Sequence, residues 1–310
     1  MSGLPLYFYL KKKKIGNPVL ANLTFTSQQK YTKTATKICP GCYQIDPSTE
    51  DGKAKVEIPP KHILKLMNIS KEEYLQGSRL DFFPELRVAS QIEEPVYLIE
   101  CLDSVPRLRK VYEALFGLLK FDTLVLVDGG TDSLMFGDED ELGTPYEDMM
   151  NMAAVYFAEL ISVPRYLLSL GYGLERGIKL EDLERNYARL DKIGGFLGEF
   201  PLSLDQEETR KYREIYLKSN PRYSIICAGV CAALEGKFGP LTDSPVEERV
   251  EDDRPTVVEK TCSYFLFTLN SVMDLNLYAK KLKEKDDYGI LQVIREVENL
   301  KKKTPEKKED

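Results

Sequence analysis

The chain has 310 residues, 43% hydrophobic and 30% charged, a profile that fits a folded globular protein and excludes a disordered one. Its formal net charge of -7 and pI near 5.2 exclude a general nucleic-acid binder, whose affinity comes from neutralising phosphates. No apolar run approaches the roughly 20 residues that span a bilayer, and residues 1–10 lack the basic region of a signal peptide. The expectation is a cytoplasmic protein without membrane partners.

Lysines 11–14 and 301–303 each close a helical pattern, where cations complement the carbonyl end of the helix dipole. Residues 18–23 read as a short buried strand. Residues 26–58, rich in Thr, Lys, Gly and Pro, read as a long polar surface excursion. Within it, Cys39-Pro40-Gly41-Cys42 is the sole CxxC. A structural zinc site wants a second ligand pair, so these residues read as buried or incidental thiols. Cys227 and Cys231 lie among Ala and Val and read as core. The single histidine, His62, follows two prolines at a helix start and reads as an exposed helical residue. Mechanisms built on a Ser-His-Asp or Cys-His set are therefore not expected.

Residues 95–101 form a second strand pattern. Residues 104–120 form a helix with Leu108, Val111, Leu115 and Leu118 on one face, and residues 123–127 a strand. Strand, helix and strand with short links predict a βαβ unit with parallel strands. A helix follows from Thr144 as N-cap, with Pro145 in its first turn, Glu147 completing a capping box, and Met149, Met152, Ala153, Tyr156 and Leu160 facing the core. Residues 165–170 are a strand ending at Gly171-Tyr172-Gly173. Helices are predicted over 180–193, 205–218 and 227–237. Residues 264–268 suit either a late strand or the start of a helix running to 282, and a final amphipathic helix covers 290–300. Gly194 to Gly198 reads as a helix stop. The pattern predicts one α/β domain over 1–302, doubly wound with a mostly parallel, Rossmann-like sheet and a helix-rich C-terminal part, followed by a charged tail at 303–310.

The segment "LVLVDGGTDSLMFGDEDELGTP" at 124–145 runs from apolar residues into two glycines and a cluster of acids. In a parallel sheet, ligands bind beyond the carboxyl ends of the strands. Asp128 and Asp132 are candidates for catalysis and for coordinating Mg²⁺ or Mn²⁺, since carboxylate oxygens suit hard cations. Gly129 and Gly130 allow close approach of a ligand or a neighbouring strand. By the same topology Thr131, Asn22, Thr24, Asp103, Gly171 and Tyr172 are candidate ligand contacts. A structural reading stands beside this one: Asp128 capping backbone amides in a tight turn, and Asp132 capping a short helical turn. Asp138, Glu139, Asp140 and Glu141 would repel one another if all were buried, and they are expected to face solvent.

The stretch "VDGGTDSLMFGDEDELGTPYEDMM" at 127–150 resembles the signature of the uncharacterised family catalogued as domain of unknown function 1152. So do "LPLYFYL" at 4–10, "VLANLTF" at 19–25, "FFPE" at 82–85, "PVYLIE" at 95–100 and "SIICAGVCAALEGKFG" at 224–239. The resemblance runs to about residue 282. It implies a Rossmann-like α/β fold and supplies no reaction. It also implies an initial strand and glycine-rich loop, of which only Ser2 and Gly3 could remain here. The chain reads as a truncated or diverged member, with the strand at 18–23 left as an open edge that invites a homo-oligomer.

Carboxylates without histidine suggest a metal-assisted hydrolase or transferase acting on a small polar or phosphorylated metabolite. The alternatives are a non-catalytic small-ligand binder and a degenerate member that contacts a protein partner.

Overall fold

The computed structural model describes residues 1–24, 35–47, 84–100, 104–139, 145–218, 224–242, 246, 254–284 and 290–303. They form two compact units. The first comprises Met1, residues 3–101 and residues 210–223, and the second comprises Ser2, residues 102–209 and residues 224–310. No described helix is long and apolar enough to cross a membrane.

In the first unit, helix α1 (Leu4–Lys13) precedes strand β1 (Leu20–Thr24). A hairpin of β2 (Thr36–Cys39) and β3 (Cys42–Ile45) follows, then α2 (Pro84–Ile92) and β4 (Val96–Glu100). Lys11, Lys12 and Lys13 occupy the last turn of α1, as the dipole favours. The sheet order is β1-β4-β3-β2, with β1 parallel to β4 and the other pairs antiparallel. Helix α2 packs on β3 and β4. Residues 36–45, expected within a surface excursion, are thus two strands of a sheet. Cys42, Tyr43 and Ile45 are buried, and a strand of four residues is too short to stand out against the polar residues around it. His62 lies outside the described residues.

The second unit begins with α3 (Val105–Leu119) and β5 (Leu124–Gly129). Helix α4 (Pro145–Phe157), strand β6 (Arg165–Leu170), helix α5 (Leu180–Lys192) and strand β7 (Phe196–Pro201) come next. Helix α6 (Glu207–Lys218) passes into the first unit, and α7 (Ile225–Leu234) returns to the second. A small ribbon of β8 (Gly239–Pro240) and β9 (Thr256–Val257) precedes β10 (Ser263–Thr268). Helices α8 (Leu269–Leu275), α9 (Leu277–Glu284) and α10 (Ile290–Lys303) complete the unit. The main sheet has the order β5-β6-β10-β7. Strands β5 and β6 are parallel, whereas β10 runs antiparallel to both of its neighbours.

Both sheets are therefore mixed, and the mostly parallel sheet expected from the alternation is not formed among the described residues. Each sheet has one parallel pair. The predicted parallel pairing of the strands at 95–101 and 123–127 also fails: β4 lies between β1 and β3 in one sheet, and β5 pairs with β6 in the other. The unit that does form is β5-α4-β6, one step further along the chain. As an edge strand with a single neighbour, β5 is half-buried over residues 124–127 rather than buried.

The core of the second unit follows from these faces. Leu167, Leu168 and Leu170 of β6 and Phe265 and Phe267 of β10 are buried, as are Met149, Met150, Met152, Ala153 and Ala154 of α4. Helix α4 packs against α3, α8, α9 and α10. On α3 the expected face holds for Leu108, Val111 and Leu115, but Leu118 is exposed in its last turn. Arg165 closes the far end of α4. Its guanidinium donates to the carbonyls of Val155 and Tyr156 in the last turn of the helix and of Ala158 and Leu160 in the turn that follows. Strand β7 was hidden in sequence behind the glycines that end α5, because its exposed edge position leaves little apolar alternation.

Candidate functional site

The carboxyl end of β5 is where the second unit gathers its acids. The parallel register sets Asp128 beside Ser169 and Gly129 beside Leu170. The chain then turns through Gly130 and Thr131 into a single 3₁₀ turn, Asp132–Leu134, closed by Leu134 and Met135 amides donating to the Thr131 and Asp132 carbonyls. The Ser169 hydroxyl donates to the Gly130 carbonyl at 2.8 Å, fixing the turn to the end of β6.

Three aspartates meet here. One carboxylate oxygen each from Asp128, Asp132 and Asp148 lie within 4.8 Å of one another. Asp128 and Asp132 are buried, and Asp148 is half-buried in the first turns of α4. Oxygens on opposite sides of a cation bound at about 2.0–2.6 Å are about 4–5 Å apart, so this spacing suits three ligands of one divalent ion. The start of α4 adds the positive end of its dipole.

A fourth acid, Glu175, comes from the loop after β6. It accepts the Thr131 amide and faces the charges of Asp132 and Asp128. The paired glycines now have a physical reason. A side-chain carbon on Gly130 would lie 2.4 Å from Glu175 Oε2 and 3.3 Å from Asp128 Oδ1, and one on Gly129 would lie 2.5 Å from Ser2 Oγ. Both positions are kept clear by the absence of a side chain.

The electrostatics are those of crowded acids. Burial, then the charge of Asp132, pushes the Asp128 carboxyl up to about 7, although the hydroxyl and amide of Ser133 both donate to it and hold it down in part. Glu175 is pushed up to about 8 by burial and then by Asp132 and Asp128, against the opposing Thr131 amide. Asp148 is raised too, by burial first and then by Asp128, Asp132, a hydrogen bond to Asp132, and Glu175. Such a group titrates as a set, and it holds protons near neutral pH that isolated carboxylates would have lost.

Of the residues expected at the site, Asp128 and Asp132 come together, with Gly129, Gly130 and Thr131 forming the loop between them. Gly171 begins the loop that carries Glu175. Its φ of 104° and a side-chain carbon position 2.6 Å from Ile226 Cγ2 both demand glycine. Tyr172 is occupied structurally: its hydroxyl donates to Glu184 at 2.8 Å and its carbonyl accepts from Thr261. Asn22 and Thr24 belong to β1, in the other sheet, so the strand-end argument does not carry them to Asp128; the Asn22 amide donates to Glu85 at 2.6 Å. Asp103 lies outside the described residues. Asp148 and Glu175 went unrecognised in sequence. The signal was topological, since the first turn of the crossover helix and the loop after its second strand share one sheet edge.

The structural reading of Asp128 is also met in part, because it does accept the Ser133 amide. Within the acidic run, Asp138 is exposed and pairs with Arg189 at 3.0 Å. Glu139 corrects the expectation of a solvated run. It is buried, and accepts the amides of Phe136 and Gly137 at 2.9 and 2.8 Å and the side-chain amide of Asn186. Asp140, Glu141 and Thr144 lie outside the described residues.

Strand, crossover helix and acid-lined strand end define a mixed α/β protein with a candidate metal centre. The family model described as "Protein of unknown function (DUF1152)" matches residues 61–300, and the chain belongs to that family. The match contains the segments at 82–85, 95–100, 127–150 and 224–239, leaves those at 4–10 and 19–25 outside, and runs past residue 282. No curated protein and no solved structure matches the chain.

Proposed function

We propose that the second unit is a divalent-cation site serving a metal-assisted hydrolase or transferase, with a small polar or phosphorylated metabolite as substrate. One observation carries this reading: the oxygens of Asp128, Asp132 and Asp148 converge within 4.8 Å at the carboxyl end of a parallel strand. Mg²⁺ or Mn²⁺ is the ion suited to an all-oxygen ligand set without histidine. Asp128, Asp132 and Asp148 would hold the cation, which when bound would supply Lewis-acid polarisation of a phosphoryl or carbonyl oxygen and activation of water. Glu175, beside the same carboxylates, is the group assigned to take the proton of the attacking oxygen.

The test is isothermal calorimetry with Mn²⁺ and Mg²⁺ on wild type and on Asp128→Asn, which keeps the shape and removes the charge. Wild type is expected to bind one ion at the three aspartates and the variant to bind at least tenfold more weakly. No divalent-ion binding by wild type at millimolar metal, with phosphorylated metabolites present, rejects the proposal.

A further inference from the structure

The first unit holds a chemically distinct feature. Cys39 and Cys42 are joined by a disulfide, and their Cα atoms are 4.8 Å apart. They are cross-strand partners in the β2–β3 hairpin, on either side of Pro40 and Gly41. Gly41 has a φ of 75°, and proline followed by a glycine of positive φ is the pattern of a type II turn. The turn geometry alone therefore brings the two sulfurs together.

We infer that Cys39 and Cys42 form a reversible thiol–disulfide exchange site whose co-reactant is a dithiol. The bond contributes little as a staple, because a ring closed between residues three positions apart constrains the unfolded chain less than a long loop does. The hairpin has other supports. Thr36 pairs with Gln44 and Lys37 with Tyr43, residues 42–45 pair with 96–99 of β4, and the Glu100 amide donates to the Gly41 carbonyl at 2.9 Å. The bond can open with the sheet still paired.

The two sulfurs also differ in access. Cys42 is fully buried beneath its strand, whereas Cys39 is half-buried on β2, the edge strand of the sheet. An incoming thiolate therefore attacks the Cys39 sulfur, and Cys42 leaves with the electron pair and takes up a proton. The second thiol of the reagent, as thiolate, then attacks its own sulfur in the mixed disulfide and releases Cys39, which is protonated in turn. Two electrons and two protons pass to the protein, and the reagent becomes a cyclic disulfide.

The test equilibrates the full chain in reduced and oxidised dithiothreitol at a series of ratios. Free thiols are trapped with N-ethylmaleimide and the 39–42 peptide is quantified by mass spectrometry. The expected result is that both cysteines gain label together as the ratio rises, lose it on reoxidation, and leave the far-ultraviolet circular dichroism unchanged. A pair that stays reduced at every ratio overturns the inference, as does one that opens only in denaturant or with loss of the strand signal. The direction of attack is tested with single variants. Cys39 in Cys42→Ser should be labelled at least tenfold faster than Cys42 in Cys39→Ser; equal rates overturn the assignment of Cys39 as the attacked sulfur.

Discussion

Two buried carboxylate sites lie within twelve residues of chain, and they are built on opposite principles. Glu139 is enclosed by donors: two backbone amides and the Asn186 side chain, which also donates to the Leu134 carbonyl at 2.9 Å. Asp128 has donors from Ser133 alone and shares its surroundings with Asp132, Asp148 and Glu175. A satisfied buried acid holds structure together, whereas buried acids crowded against one another are costly until protons or a cation offset them. The first arrangement is a lock, and the second is what a functional site looks like in electrostatic terms.

The contrast breaks most visibly at Glu139. Glu139→Ala should leave the Phe136 and Gly137 amides without their acceptor in a buried place, and the Asn186 side chain with the Leu134 carbonyl as its remaining acceptor, at a cost of about 3–5 kcal/mol. Urea unfolding measures it. A loss below about 1 kcal/mol would mean that the loop has another anchor and that the lock is misassigned.

The cation gives the next largest effect. A ligand that binds only the native state at a hundred times its Kd stabilises it by about 2.7 kcal/mol. Mn²⁺ should raise the melting temperature of wild type and raise that of Asp128→Asn by about half as much or less, while Glu139→Gln, outside the three aspartates, should respond as wild type does. Equal responses from all three proteins would remove the distinction between the two sites.

Much of this was legible in sequence, and the limits have physical reasons. Local patterns mark α3, α5, α6, α7 and α10 and five of the ten described strands to within about three residues, because amphipathic periodicity and the proline and glycine punctuation act locally; α2 and the short strands β2, β3, β8 and β9 leave no such pattern. Residues 165–170 matched β6 at both ends. Pairing is not legible: Leu-Val-Leu-Val does not state which strand lies beside it, and the chain order that points to β4 gives way to β6 in the fold. Asp128 and Asp132 were found because they follow an apolar strand directly. Asp148 and Glu175 were missed because only the fold brings residues 20 and 47 positions from Asp128 to the same edge. Glu139 was misjudged because burial of one acid in an acidic run depends on Asn186, which is far away in the chain.

The acid cluster also fixes a pH dependence in protein kept free of divalent ions with a chelator. Asp128 and Glu175 are raised to about 7 and 8 in the folded state, above their unfolded values near 4. The folded state then binds more protons than the unfolded state between these limits. Their contribution to stability is full below the unfolded values and is lost as pH rises through about 7 to 8. Stability should therefore fall from pH 6 to pH 8.5. Asp128→Asn should flatten that fall and stabilise the chelated protein at pH 8 by about 1–3 kcal/mol. A wild-type curve that rises over this range would mean that the cluster is not electrostatically loaded.

The smallest effect separates the two sites by their glycines. Gly137, beside the lock, has a φ of 99°, and a side-chain carbon there would meet Tyr278 and Val297 at 3.1 Å, so both strain and packing oppose a substitution. Gly130, inside the acid cluster, would place that carbon 2.4 Å from Glu175 Oε2, the far end of a flexible side chain. Gly130→Ala should therefore be absorbed by rotation of Glu175 away from the turn, with a stability change within about 1 kcal/mol. With Glu175 displaced from Asp128 and Asp132, the fall in stability between pH 7 and 8.5 should shrink, while Mn²⁺ affinity at the three aspartates should change less than threefold. Unfolding curves at three pH values and one calorimetric titration check both outcomes. A cost for Gly130→Ala equal to that of Gly137→Ala would show that Glu175 is held as firmly as Glu139, and that the cluster is a second lock rather than a site with room for a reacting group.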